Sequence, residues 1–72
     1  MVPVRFRIRD LLTGRTLIES THGRDLVAYH DEHYRPGYCD WWWQYLDPYG
    51  MWVSIPPTVR KSWRERSAVA SA

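Results

Sequence analysis

The hydrophobic pattern near the N-terminus is a strict alternation. In VRFRIRD three apolar side chains alternate with three arginines, and this period of two predicts a β-strand with one buried face. TLIEST follows a turn at Gly14 and is typical of a returning strand. Pairing Ile8 with Ile18 places the apolar side chains of both strands on one face and brings Arg7 opposite Glu19. Apolar and charge pairing therefore predict the same hairpin.

The segment GRDLVAYHDEHYRPG carries a helical pattern. Asp25 lies in the expected first turn, and Pro36 with Gly37 provides a stop signal. Apolar, aromatic and histidine side chains recur at intervals of three and four residues, which predicts one helix face that packs on other elements. The members of this stripe are Leu26, Tyr29, His30, His33 and Tyr34.

Three consecutive tryptophans open the second hairpin, CDWWWQYLDPYGMWVSI. DPYG is typical of a tight turn, and Pro56 ends the returning strand because proline cannot donate to a ladder. In the register that this turn predicts, every β-branched apolar residue falls on one face, which we assign to the core. Trp42 then lies on the other face with Leu46 and Trp52. The residues expected on the core face are Trp41, Trp43, Tyr45, Met51, Val53 and Ile55.

The element order β-β-α-β-β indicates an α+β fold, with a single four-stranded sheet and one helix packed on one face. The simplest packing places strands 1 and 4 side by side, in the order 2-1-4-3, with a crossover through the helix. This order resembles the β-grasp layout of the immunoglobulin-binding domains of streptococcal protein G, a resemblance of element order and spacing that carries no function. We expect a compact ββαββ domain over residues 1–57, and a basic tail or short helix capped by Thr58 over residues 58–72.

Charge is distributed unevenly along the 72 residues. The whole chain has 10 basic and 8 acidic residues, a formal net charge of +2. Residues 58–72 have a net charge of +3, which leaves residues 1–57 with six basic and seven acidic side chains and a net charge of −1. The nearly neutral domain argues against nucleic-acid binding, whereas the basic tail supports it. The cations of the tail are Arg60, Lys61, Arg64 and Arg66.

The sequence also predicts where the protein acts. Cys39 is a lone cysteine, which excludes an internal disulfide framework and is typical of a reducing compartment. The longest apolar run, residues 26–29, is far too short to span a membrane. Arginines interrupt the N-terminal segment, so we expect no signal peptide. These features predict a soluble, cytoplasmic protein that does not associate with membranes.

Catalytic and metal-binding patterns are incomplete. His30, His33 and Cys39 offer nitrogen and sulfur ligands suited to zinc, but their spacing matches no standard zinc module. A fourth ligand would have to come from His22, Asp31 or Asp40. A nucleophilic Cys39 would need a base, an orienting group and an oxyanion hole, and no glycine-rich loop supplies the last. We therefore expect no enzyme activity, no metal and no cofactor.

The outer face of the sheet is the predicted partner-binding site. Tryptophan and arginine are enriched among interface hot spots, although arginine stems on a sheet also simply cover aromatic rings. The favoured interpretation is a small non-enzymatic module that recognises a protein partner, or a second copy of itself, through this face. We expect the site to comprise Arg5, Arg7, Arg9, Trp42, Leu46 and Trp52.

The biological role of the protein has two candidate interpretations. An inhibitor or adaptor encoded by a phage or mobile element is one, suggested by the small size and by an arginine-rich composition typical of GC-rich genomes. The alternative is a nucleic-acid-binding protein, in which arginines contact phosphates and tryptophans stack on bases. In that case the tail would contribute contacts from Arg60, Lys61, Arg64 and Arg66, which could equally bind an acidic partner.

Overall fold

Four strands and two helices make up the computed structural model of the chain, which describes residues 4–71 and the side chains of residues 4–66. The expected α+β fold with a single four-stranded sheet is confirmed, and every neighbouring pair of strands is antiparallel. The elements are β1 (Phe6–Asp10), β2 (Thr16–Ser20), α1 (Gly23–His33), β3 (Trp41–Leu46), β4 (Trp52–Ser54) and α2 (Pro57–Ser71).

The first hairpin has the predicted register at its centre. Ile8 lies opposite Ile18, and Arg7 lies opposite Glu19. The turn contains Gly14 with a φ of 74°, a left-handed conformation that glycine adopts without steric cost.

The second hairpin also has the predicted register. Tyr45 lies opposite Val53, and Leu46 lies opposite Trp52. Asp47 stabilises the turn, because its Oδ1 atom accepts hydrogen bonds from two backbone N–H groups at 2.9 and 2.8 Å. The alternation that divides the tryptophan run between the two faces is therefore present.

The strand order is β2-β1-β3-β4, not the expected 2-1-4-3. β1 pairs with β3 in antiparallel orientation, so β4 lies at the edge and the β-grasp order does not apply. The reason is visible in strand length. β4 has only three residues and is followed by Pro56 and Pro57, a combination suited to an edge, whereas β3 has six residues and forms ladders on both sides.

The core lies between the sheet and the helices. Its buried side chains come from β1, α1, β3 and the residue after β4, and they are Ile8, Leu26, Val27, Trp43 and Ile55. Three apolar residues expected on the core face are instead exposed, Val4 by 52%, Met51 by 63% and Val53 by 36%. Val4 precedes the first residue of β1. Met51 belongs to the hairpin turn, and Val53 lies on the edge strand, beyond β1 and β2 against which α1 packs.

α2 packs against α1 instead of extending from the domain. Its side chain Trp63 lies edge-on to Phe6, with ring centroids 4.8 Å apart, and approaches the backbone of Gly23. The Nη1 atom of Arg64 lies 2.7 Å from Oδ2 of Asp31 on α1. The helix begins at Pro57, so Thr58 lies inside its first turn and is not the cap. Both helices therefore lie on the core side of the sheet.

Candidate functional site on the outer sheet face

The six residues predicted for partner binding lie on one surface, which we call the outer sheet face. It is the face opposite α1 and α2. In the β1–β3 ladder Arg9 lies opposite Trp42, and Leu46 donates its backbone N–H to the carbonyl oxygen of Arg5 at 2.9 Å. The β3–β4 ladder adds Trp52 opposite Leu46. Besides these residues, the outer sheet face includes Arg7, Glu19, Gln44 and Ser54.

Arg7 occupies the centre of the outer sheet face. Its Nε atom donates to Oε1 of Gln44 at 2.8 Å, and its guanidinium carbon lies 4.0 Å from the ring centroid of Trp52. β3 lies between β1 and β4, so Arg7 reaches across β3 to contact the ring of Trp52.

The charge on Arg7 is maintained in this setting. Burial lowers the pKa of Arg7, the charge of Arg9 lowers it further, and the carboxylate of Glu19 acts in the opposite direction. A guanidinium stays protonated in proteins at neutral pH, so Arg7 remains a cation there. Stacking on Trp52 adds a cation–π attraction of about 0.5–1 kcal/mol at a partly exposed position.

Gln44 is a residue of this face that the sequence prediction missed. It lies beneath Arg7 and is only 3% exposed, although the alternation placed it on the solvent side. A buried amide is costly unless it is hydrogen-bonded, and Arg7 supplies one such bond. The signal that could have found it is the β1–β3 register, which places Gln44 directly opposite Arg7.

The aromatic side chains of the face differ in exposure. Trp42 is 40% exposed, and its indole N–H donates to Oγ of Ser54 on the edge strand. Trp52, under the guanidinium of Arg7, and Leu46 are half-buried. Trp42 is therefore the most accessible aromatic group of the outer sheet face, and Arg7 with Trp52 forms a platform near it.

The two flanking arginines are also held in place. Nη1 of Arg5 lies 2.9 Å from Oε2 of Glu19, and Nε of Arg9 donates to the carbonyl oxygen of Gly14 at 3.2 Å. Exposed ion pairs of this kind contribute little stability, about 0–1 kcal/mol. Here the two contacts orient the arginine side chains, which are directed along the sheet.

The basic residues of α2 lie elsewhere. Arg60, Lys61 and Arg64 line a cleft on the core side of the sheet, and the Arg60 guanidinium carbon lies 5.3 Å from the ring centroid of Trp43. Arg66 is exposed farther along the helix. These cations and the outer sheet face are separated by the sheet itself and do not form one continuous surface.

The histidines and the cysteine do not converge. His30 stacks on Tyr34 with ring centroids 4.5 Å apart, and His33 packs on Tyr29 at 4.4 Å. Cys39 lies in the turn after α1, where its Sγ accepts the backbone N–H of Arg35 at 3.4 Å. Across the part of the chain that the structure describes, no three histidine, cysteine, aspartate or glutamate side chains are grouped as metal ligands would be.

Within residues 4–71, neither helix combines the length and the apolar character that crossing a membrane requires. Comparisons of the chain with models of known protein families, with curated proteins and with solved structures found no match.

Proposed function

We propose that this chain is a small non-enzymatic binding module that recognises a protein partner in the cytoplasm through its outer sheet face. The observation that carries the proposal is the arrangement of Arg7, stacked on Trp52 and hydrogen-bonded to Gln44, next to the exposed ring of Trp42. Tryptophan and arginine are the side chains that most often dominate interface energetics.

Pre-organisation supports this role. Fixing a rotamer-rich side chain at an interface costs about 0.5–1.5 kcal/mol, a cost that falls when the free protein already holds the bound conformation. Contacts within the chain orient the three arginines of the face and the indole of Trp42. Association would therefore require little further ordering of these side chains.

Charge suggests the chemistry of the partner. The face presents three arginines together with Glu19, beside an exposed indole ring. A complementary protein surface carries carboxylates around an apolar side chain that covers Trp42. A second copy of this chain would bring arginines against arginines, so a different protein is the favoured occupant.

The nucleic-acid alternative is less well supported. It requires the outer sheet face and the α2 cations to act together, and the sheet lies between them. Residues 1–57 also have a net charge of −1, unlike typical nucleic-acid-binding domains. A small inhibitor or adaptor, of the kind that phages and mobile elements encode, is the biological role we propose, and the lone Cys39 accords with action in the reducing cytoplasm.

The test is affinity capture from the source cell, followed by binding measurements with the purified captured protein. The perturbing variant is Trp42→Ala/Trp52→Ala. The matched control is Tyr38→Ala/Tyr49→Ala, which also removes two aromatic rings but at sites 84% and 90% exposed outside the face. We expect the first variant to weaken binding at least about thirtyfold and the control to leave it unchanged.

Three results would contradict the proposal. Equal binding by the two variants would place the interface elsewhere. Self-association detected by sedimentation, and abolished by Trp42→Ala/Trp52→Ala, would assign the face to a homodimer. Recovery of DNA or RNA, with a log-affinity that falls about 0.9 per contact against log salt, would favour the nucleic-acid alternative.

A further inference from the structure

A second cationic site lies on the opposite side of the sheet, in the cleft between α1, β3 and α2. The cleft has a volume of about 250 Å³. Pockets for drug-sized ligands measure roughly 300–1,000 Å³, so this cleft is suited to a single chemical group and not to a large cofactor. It is lined by Val27, His30, Trp43, Arg60, Lys61 and Arg64.

Positive charge in this cleft is only partly compensated. Arg64 forms an ion pair with Asp31 at 2.7 Å, which neutralises one of the three cations. Arg60 is held over the ring of Trp43, and its buried Nε finds no hydrogen-bond partner among the residues that the structure describes. Buried polar groups nearly always have partners, so this orphaned Nε is an uncommon feature. Because the Nε has no accessible surface, a ligand in the cleft would contact the terminal nitrogens of the Arg60 guanidinium instead.

We propose that this cleft binds a phosphate group, held by Arg60 and Lys61. A phosphate monoester carries about −1.5 to −2 charges at pH 7, which matches the two cations left after Arg64 pairs with Asp31. A guanidinium presents several donors in a plane that suits phosphate oxygens, and the ammonium of Lys61 adds a point charge. The proposal does not depend on the function assigned to the outer sheet face.

The test is titration of the full chain with inorganic phosphate at constant ionic strength, adjusted with sodium chloride. Binding is followed by two-dimensional NMR at the indole N–H of Trp43 and the backbone amides of residues 60–64. The cleft variant is Arg60→Gln/Lys61→Gln. The matched control is Arg24→Gln/Arg66→Gln, which removes the same charge from exposed positions outside the cleft.

We expect saturable shifts in the wild type, affinity at least tenfold lower in the cleft variant, and affinity within twofold of wild type in the control. The single variant Lys61→Gln provides a second measurement if the double variant does not fold, since Lys61 is exposed, and it should also weaken binding. Shifts that do not saturate, or equal losses in the cleft and control variants, would overturn the proposal because they indicate general charge screening.

A second arm identifies where the phosphate comes from. A phosphoserine peptide that binds more tightly than inorganic phosphate would indicate a phosphate carried by a protein chain. Tighter binding of inorganic phosphate would indicate a free small molecule, and both results support the cleft. Saturable binding of an oligonucleotide that lacks terminal phosphates, without saturable binding of inorganic phosphate, would contradict the proposal and indicate a nucleic-acid backbone site.

Discussion

Replacing Gly23 by alanine tests how α2 is attached to the domain. In most helices a change from glycine to alanine stabilises the protein, by about 0.4–1 kcal/mol. Here a Cβ atom at Gly23 would lie 2.2, 2.4 and 2.6 Å from three carbon atoms of the Trp63 indole. The structure therefore predicts the opposite sign from the one that helix propensity predicts.

The expected loss of stability in Gly23→Ala follows from this overlap. Carbon atoms pack at about 3.5–4.0 Å, so the methyl group and the ring must separate by more than roughly 1 Å. Trp63 cannot simply rotate away, because its ring lies edge-on to Phe6 at 4.8 Å. Overpacking of this kind costs about 1–3 kcal/mol, and we expect a net destabilisation of about 1–2 kcal/mol after the gain in helix propensity. For a domain of this size that lowers the Tm by roughly 4–16 °C.

The assay is thermal unfolding of Gly23→Ala, Trp63→Ala and the double variant. In the Trp63→Ala background the steric conflict is gone, so Gly23→Ala should be neutral or slightly stabilising there. The cycle isolates the contact from any general effect of alanine at this position. A higher Tm for Gly23→Ala in the wild-type background, or strictly additive effects, would refute the docking of α2 through Trp63.

The remaining predictions concern the core, the helix end, acid stability and metal content. Trp43→Ala should cost about 3–5 kcal/mol because it empties a buried aromatic site, and an unshifted melting curve would contradict the inward position of Trp43. Deleting residues 65–72 should leave the fold intact because Trp63 and Arg64 remain, and circular dichroism would reveal a collapse. Burial alone would raise the pKa of Asp31, but hydrogen bonds and charge from Arg64 and His30 together lower it. A carboxylate whose pKa is lowered by folding stabilises the folded state at pH values above its unfolded pKa of about 3.9, and this contribution is lost as the pH falls through the lower folded pKa. The denaturant midpoint should therefore decrease below about pH 4, and Asp31→Asn should remove that part of the pH dependence. The purified protein should contain no stoichiometric zinc, and elemental analysis showing one zinc per chain would contradict this prediction.

Local patterns predicted the two hairpins because residues close together in the sequence determine the register of a hairpin and the face on which each side chain lies. The alternation around Ile8 and Ile18 fixes both the faces and the register, since a slip by one residue would move the apolar side chains to solvent. The same reasoning assigned Trp43 to the core and Trp42 to the opposite face, as the structure shows. Alternation assigned the six predicted residues to one face of their own strands, and the β1–β3 and β3–β4 ladders bring them together on the outer sheet face.

Alternation along a strand could not predict the strand order or the contacts between residues that are distant in the sequence. Whether β1 pairs with β3 or β4 depends on the relative stability of two distant ladders, and alternation describes only one strand at a time. The sequence feature that favours an edge position for β4 is the pair Pro56 and Pro57, which ends the strand early. The burial of Gln44 depends on that strand order, and the contact between Gly23 and Trp63 has no local signature because 39 residues separate the two positions.

The measurement that tests the central claim most directly is the affinity of the purified protein partner for Trp42→Ala and Tyr38→Ala, each over a range of salt concentrations. Both variants remove one exposed aromatic ring, and only Trp42 belongs to the outer sheet face. We predict that Trp42→Ala raises the Kd at least about tenfold at every salt concentration, whereas Tyr38→Ala leaves it unchanged. Equal affinities for the two variants would contradict the assignment of the outer sheet face as the recognition surface.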